Sequence, residues 1–458
     1  MTHPYIPRTT AEEREMLAVA GVSEVDDLLA GLPAHLRLDR PLDVPAAHSE
    51  MALVREVRRL AQRNKGLTDV TSFLGMGWSK HFIPAAVDSI VSRSEFTTAY
   101  TPYQAEASQG SLQQIFEYQT MVAELAGMEI SNASLYDGAT AVVEGLIMAS
   151  ACTRGRKTFA IAGSLNPRWR EVVDTFAGPN GWSFLDIAWS RQDGLLDRVD
   201  LELKLAANAG KVAAIVVQTP NAFGLLEDLV GLRETCDRHG CTLLVAADPL
   251  SLSVIEPPGS FGADIVVGEM LGMGVPTSLG GPALGYLATL KKHLRQMPGR
   301  VVGRTVDADG RRAYCLTAQT REQHIRREKA TSNICSNQGL MTVCATAWLS
   351  LLGPKGLEDL AEQCASRLSY VSQGLGKAGI LPLYVGTPFQ EQTFRLAEGS
   401  RKRVDDACRS AGILPGIWLA DLLPSLPPDV LLVCASETHT RADLDLLVST
   451  LVSAGGKA

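Results

Sequence analysis

The sequence predicts an α/β fold built on a mainly parallel sheet of the seven-stranded type, with a smaller α+β domain at the C-terminal end. Three observations carry this expectation. From about Asp137 onward, short runs of Val, Ile, Leu and Ala alternate with helical segments. Those runs are apolar throughout rather than at every second residue, as expected of strands covered on both faces. The last of them, ADIVV from Ala263, runs into a loop with five glycines between Gly268 and Gly281. A buried strand ending in a Gly-rich loop is where open α/β sheets place ligands.

The elements follow in order. Residues 1–100 read as a helical and irregular extension, with helices over Ser49–Asn64 and Pro84–Arg93; Pro is tolerated in a first helical turn. A third helix over Gln109–Gly127 stops at its glycine. Residues 101–330 hold the large domain. Asp137 is the expected N-cap of an apolar helix, GATAVVEGLIMASA. Strands follow at Lys157–Gly163, Trp182–Trp189, Val212–Gln218 and Cys241–Ala247. Helices at Asn166–Ala177, Asp197–Ala209 and Leu226–His239 separate them. YLATLKKHL, from Tyr286, reads as helix-like and exposed. Residues 331–458 supply two long helices, Gln338–Leu352 and Leu357–Leu375, then the small domain with a strand at Leu431 and helices at Arg401–Ser410 and Ala442–Ala454.

Composition narrows the function. The chain has 458 residues, 46% of them apolar, enough for a large core. The formal net charge is −7 with no basic stripe, which argues against nucleic-acid binding. The N-terminus lacks a signal-peptide core and the most apolar windows are too short to span a bilayer, so the expected location is cytoplasmic, with no membrane contact. Nine scattered cysteines without a CxxC pair, and no HExxH, give no sign of a disulfide framework or a metal.

Four stretches carry candidate chemistry. In YTPYQAEASQG, Pro102 fixes an extended or turn geometry, so Tyr100 and Tyr103 either face a pocket or pack within a connector. In NASLYDGATA, Ser134, Tyr136 and Asp137 open a helix whose free N–H groups suit an anion, with Gly138 allowing close approach and Thr140 in the first turn. Asp137 as an ordinary cap would occupy those same donors. Asp248, at the end of the strand LVAA, is placed either to pair with a protonated ring nitrogen or to make an Asp-Pro turn. The charged run Thr320–Lys329 reads as a solvated face with pairs such as Glu322 to Arg326. The uncharged ATSNICSNQ after it, containing Asn333, suits a packed loop near a site or interface.

Taken in order, the blocks resemble the P-protein of the glycine cleavage system, in its two-subunit form. The similarity begins at YIPRT and RLDRPLDVP. It continues through SRSEFTTAYTPYQAEASQG, NASLYDGATA, VVGEMLGMGVPTSLGGP, MPGRVVG and TREQHIRREKATSNICSNQ. The resemblance implies an aspartate-aminotransferase-like fold (type I) of pyridoxal-phosphate (PLP) enzymes. It implies an α₂β₂ assembly in which the partner subunit carries the Schiff-base lysine and the PLP, with none bound covalently here. It also implies the reaction: decarboxylation of glycine and transfer of the aminomethyl group to the lipoyl arm of H-protein. On that basis Tyr100, Tyr103, Ser134, Tyr136 and Asn333 would line or position the partner's site. Asp137, Gly138, Thr140, Asp248, Met270 and Leu271 would mark a vestigial cofactor pocket, with Met270, Leu271 and Met273 filling it. The chain departs from the family pattern at Met270–Gly274, at Trp78-Ser79-Lys80 and at Gly145, where alanine is expected. A self-contained PLP enzyme would need a lysine soon after ADIVV; none occurs from Val266 to Leu290. A non-catalytic scaffold subunit is the other alternative.

Overall fold

A computed structural model describes Tyr5, residues 7–278 and residues 280–456. The chain divides into two units, Met1–Lys65 and Gly66–Ala458.

The first unit holds helix α1 (Thr10–Val19), capped by Thr9 through a reciprocal bond with Glu12, and α2 (Glu50–Ala61), capped by Ser49. None of its described residues is buried. It supplies 16 of the 33 large apolar side chains left exposed among the described residues, so these helices have no core of their own.

The second unit is organised by a seven-stranded sheet. Its strands are β1 (Ile130–Ser131), β2 (Thr158–Ala162), β3 (Ser183–Ile187), β4 (Val212–Thr219), β5 (Thr242–Ala247), β6 (Ile265–Glu269) and β7 (Gly285–Thr289), in the order β1-β7-β6-β5-β4-β2-β3. Strands β3, β2, β4, β5 and β6 run parallel; β7 pairs antiparallel with β6, and β1 with β7. Every residue of β5 is buried, and so is the sheet's centre on both faces, which is why these segments carry no polar alternation. Helix α3 (Gln109–Ala126) and the first half of the long helix at 339–377 pack on one face. Helix α4 (Gly138–Cys152) covers the other, against Leu244 and Val267. Gly145 belongs to this contact: a Cβ there would lie 2.5 Å from Leu244 Cδ1. The departure from alanine thus lets α4 sit close on β5.

Helices α5 (Pro167–Asn180), α6 (Arg198–Ala207) and α7 (Leu232–His239) follow the successive strands. The long element α8 (Gly339–Lys377) is two helices met at Gly353, whose φ of 62° breaks the helical path before Pro354 restarts it. It is also the one described helix long and apolar enough to cross a membrane, but the break and its buried face mark it as a core element. The small domain is a three-stranded antiparallel sheet (Glu391–Arg395, Val430–Cys434, Ile417–Trp418) under helices Arg401–Ala411 and Arg441–Gly455.

Three local expectations fail. Gly285–Thr289 is a buried strand, not a helix: its pairing with β6 overrides the helical preference of Leu and Ala. Residues 226–231 are irregular, and α7 starts only at Leu232 after a left-handed Gly231; the Asp228 carboxylate accepts from Val230 N and turns the chain there. The charged run is not a solvated face throughout. Glu322 is buried and lies 3.7 Å from Arg300 and 3.6 Å from His324, rather than pairing with Arg326.

Candidate active-site cleft

A cleft of about 800 Å³ opens at the C-terminal end of β6, between Tyr136, Asp137 and Trp169 on one side and Trp418 and Leu422 on the other. At its floor lies the N-terminus of α4. A helix start presents N–H groups with no partner inside the helix. Here two carboxylates take them. Asp137 Oδ1 accepts from Thr140 N at 2.7 Å, and Thr140 Oγ1 bonds the Asp137 backbone in return. Glu269, the last residue of β6, places Oε2 at 2.7 Å from Gly138 N and Oε1 at 2.9 Å from Leu284 N. Gly138 is required for this approach, since a Cβ would meet Trp169 at 2.4 Å and Glu269 Cβ at 2.9 Å. Burial raises the Glu269 pKa from its ordinary 4.5 to about 7. The place where a phosphate would sit on α4 is therefore taken by a side chain of the same protein. Glu269 was the single ionisable residue of its loop and was visible as such; its partner at Gly138, 131 residues away, was not.

Asp248 lies just past the end of β5, half-buried at the edge of a small void. Its Oδ1 accepts from Leu250 N (2.8 Å) and Ser251 N (3.1 Å), and Oδ2 from Gln390 Nε2 (3.2 Å). Burial raises its pKa. The void beside it measures only about 60 Å³ and is lined by Asp248, Trp169, Leu271, Met273, Gln390 and Glu391. Met270 and Met273 are buried, and Leu271 is half-buried at the rim. Sites for small organic ligands run to about 300 Å³ and more. No lysine among the described residues reaches this place. Because β7 runs antiparallel to β6, Thr289 pairs with Ile265, not with Glu269. Lys291 and Lys292 therefore emerge at the far edge of the sheet, about 13 Å of strand away, where Lys292 faces Asp264 at 3.5 Å. A carboxylate on the anion-binding donors, a void of this size and an absent amine do not fit a PLP bound in this chain.

A second cluster gathers Tyr103, Ser134, Asn337 and Gln338. Tyr103 Oη donates to Asn337 Oδ1 at 2.5 Å, while the Arg300 guanidinium lies over its ring at 3.8 Å from the centroid. Burial raises the Tyr103 pKa. Asn337 Nδ2 reaches Ala133 O at 3.4 Å, and Ser134 Oγ accepts from Gln338 N at 3.0 Å. Ser134 holds φ at 148°, a conformation costing roughly 1–3 kcal/mol in a non-glycine residue. Tyr100 does not join: it is 84% exposed. Tyr136 and Asn333 are also exposed, Tyr136 at the cleft wall. Arg300, Asn337 and the buried Glu144 were missed. Glu144, raised to about 7 by burial, is a buried acid in α4 whose Oε2 has no hydrogen-bond partner. Its signal was a lone acid in an otherwise apolar helix.

A profile of the family described as "Glycine cleavage system P-protein" matches residues 3–451. The chain belongs to the P-protein family of the glycine cleavage system. Among its relatives is a "Probable glycine dehydrogenase (decarboxylating) subunit 1" of Desulforamulus reducens, 44% identical over 447 residues, with 98% of this chain and 99% of the relative covered. The crystal structure of a glycine decarboxylase (P-protein) in inhibitor-bound form superposes with a TM-score of 0.86 at 38% identity, covering 99% of this chain and 100% of that one. More distant likeness extends to a cystine C–S lyase with glycine covalently linked to its PLP cofactor, at a TM-score of 0.60 and 15% identity over 85% of this chain and 98% of the lyase. That likeness shows the type I fold of PLP-dependent enzymes.

Proposed function

We propose that this P-protein chain is the cofactor-free subunit of a cytoplasmic glycine decarboxylase. With a lysine-bearing subunit 2, in an α₂β₂ assembly, it releases CO₂ from glycine on PLP held by the partner. The aminomethyl group then passes to the lipoyl arm of H-protein. The observation that carries the reading is Glu269 seated on the α4 donors, in a chain similar over its whole length to glycine decarboxylase subunit 1. A fold built for PLP has its phosphate position filled from within, and the chemistry falls to another chain.

This chain's residues then have positioning work. Tyr103, oriented by Asn337 and stacked under Arg300, gives a fixed wall, and Ser134 locks the loop behind it. A fixed wall excludes water and holds reacting groups in place, which is where most of the gain from a second subunit would come. The exposed apolar faces of the first unit, Leu53, Val57 and Leu60 among them, suit a covering partner.

The test is co-expression with the lysine-bearing subunit and assay of glycine–bicarbonate exchange. Tyr103→Phe should lose turnover while the complex stays intact. Unchanged exchange in both Tyr100→Phe and Tyr103→Phe would instead favour a scaffold role. A borohydride-reducible aldimine absorbance in this chain purified alone with PLP would sink the proposal.

A further inference from the structure

No metal motif is visible along the sequence, yet the fold brings three donor side chains of three different kinds to one point. His81 lies on the segment before the Ala85–Val91 helix, Cys364 on the second half of α8, and Glu437 just after the Val430–Cys434 strand. Their donor atoms all lie within 4.8 Å of one another. His81 Nδ1 is 2.9 Å from Glu437 Oε2, and Cys364 Sγ is 3.5 Å from that same oxygen. The imidazole and the carboxylate are 3% and 10% exposed, and Cys364 is fully buried.

An imidazole–carboxylate pair alone explains the first contact, as an ion pair between two segments. It does not explain why a thiol converges on the same oxygen. We propose that His81, Cys364 and Glu437 form a mononuclear site for a borderline divalent transition metal of the zinc class, with water as the fourth ligand. Zinc bonds of about 2.0 Å to nitrogen and oxygen and about 2.3 Å to sulfur set tetrahedral edges of about 3.3 Å (N···O) and about 3.5 Å (S···O). The S···O separation already has this value, the N···O separation needs an opening of about 0.4 Å, and the N···S edge, which lies within 4.8 Å, settles at about 3.5 Å on binding. The mixed N, S and O donor set suits zinc rather than magnesium or calcium, which take oxygen ligands.

The surroundings supply what such a site needs. Glu437 Oε1 accepts from Phe82 N at 2.6 Å, so a backbone bond fixes the carboxylate while Oε2 points to the other donors. His81 and Glu437 also line an open cleft of about 630 Å³ with Phe82 and Thr438, which gives an ion a route in and a water its place. Binding replaces the Cys364 S–H bond with a sulfur–metal bond and releases the proton to solvent. The ion would clamp three segments far apart in sequence. One of them, residues 79–82, also carries Ser79, which bonds Glu391 beside the Asp248 void.

Cobalt(II) titration of the metal-stripped full chain tests this. The expected result is one equivalent bound, with a near-ultraviolet thiolate-to-cobalt charge-transfer band and the intense visible bands of tetrahedral cobalt. Zinc should displace it. Cys364→Ala should bind at least tenfold more weakly and lose the thiolate band, while Cys335→Ser, at an exposed thiol, should keep both. Retention of the band in Cys364→Ala, or its loss in Cys335→Ser, would overturn the assignment. Should Cys364→Ala fail to fold, zinc-edge X-ray absorption on the wild-type chain decides. One sulfur at about 2.3 Å with nitrogen and oxygen at about 2.0 Å supports the site. A shell without sulfur, or no stoichiometric zinc, refutes it.

Discussion

Glu269→Gln is the most informative single change, because the side chain's cost and its purpose separate with pH. The folded protein holds this carboxyl at about 7, against 4.5 ordinarily, through burial. Between those values the unfolded chain has given up its proton and the folded one has not. Fewer protons bound in the unfolded state means that stability falls as pH rises through this window, and then levels off above it. A shift from 4.5 to about 7 is worth at most about 3.4 kcal/mol, of which about 2.5 kcal/mol falls between pH 5 and pH 8. Solvent at the cleft floor reduces this figure. Glutamine cannot ionise, so it removes that slope. It also has one acceptor oxygen where Glu269 serves two N–H groups, Gly138 and Leu284, so one buried donor is left unpaired at about 1–3 kcal/mol.

The expectation is therefore a crossing. At pH 5.5 the variant should be clearly less stable than wild type, and at pH 8 the difference should shrink to about zero or reverse. Urea unfolding of the full chain at both pH values, fitted with a common m-value, reads it directly. A variant whose stability falls with pH as steeply as wild type's would show that Glu269 is not the titrating group. The reasoning about the floor of the cleft would fail with it.

Four further outcomes follow from the same geometry. Glu269→Ala frees Gly138 N and should give the chain a phosphate-dependent rise in melting temperature that wild type lacks; with phosphate tenfold above Kd the gain is about 1.4 kcal/mol. Gly145→Ala should destabilise by about 1–3 kcal/mol in chemical unfolding, because its Cβ would fall 2.5 Å from Leu244 Cδ1 in a filled core. Tyr103→Phe should cost only about 1 kcal/mol of stability, for one hydrogen bond to Asn337, while exchange activity of the assembled complex falls much further. Val57→Glu, on an exposed apolar face, should leave the melting temperature of the isolated chain within a degree or so and weaken co-purification with subunit 2 at least tenfold.

What could be read from the sequence was what is local. The strands β2, β4 and β5 were legible because they are buried on both faces and carry polar residues only at their ends. Asp137 was legible as a cap because capping is a matter of three residues. The missing lysine was legible because absence in a short segment needs no structure. Strand β7 was not, since Leu, Ala and Lys favour a helix until β6 supplies a ladder. Glu322 read as solvated because the arginine that neighbours it, Arg300, comes from another part of the chain. The same holds for Asp248, whose partner Gln390 lies 142 residues on, and for the meeting of His81, Cys364 and Glu437.

Under the proposed function, the place of a cofactor pocket shows why a long-range partner decides what a local motif means. On that proposal, the start of α4 and the carboxylate of Asp248 would be the groups for a phosphate and a ring nitrogen. Either would stand open, at a cost of a few kcal/mol per unpaired buried group, if nothing replaced the ligand. Glu269 answers the first need and Gln390 the second. Apolar packing completes the replacement, since Leu271 and Met273 take up the volume and leave about 60 Å³. Met270 and Met273 are buried at this place and Leu271 lies at its rim, so on the proposed function apolar volume is half of the account. Side-chain volume closes the cavity, but the stability of a closed cavity rests on the two hydrogen-bonded substitutes, and the more telling of them is the acid that ends β6.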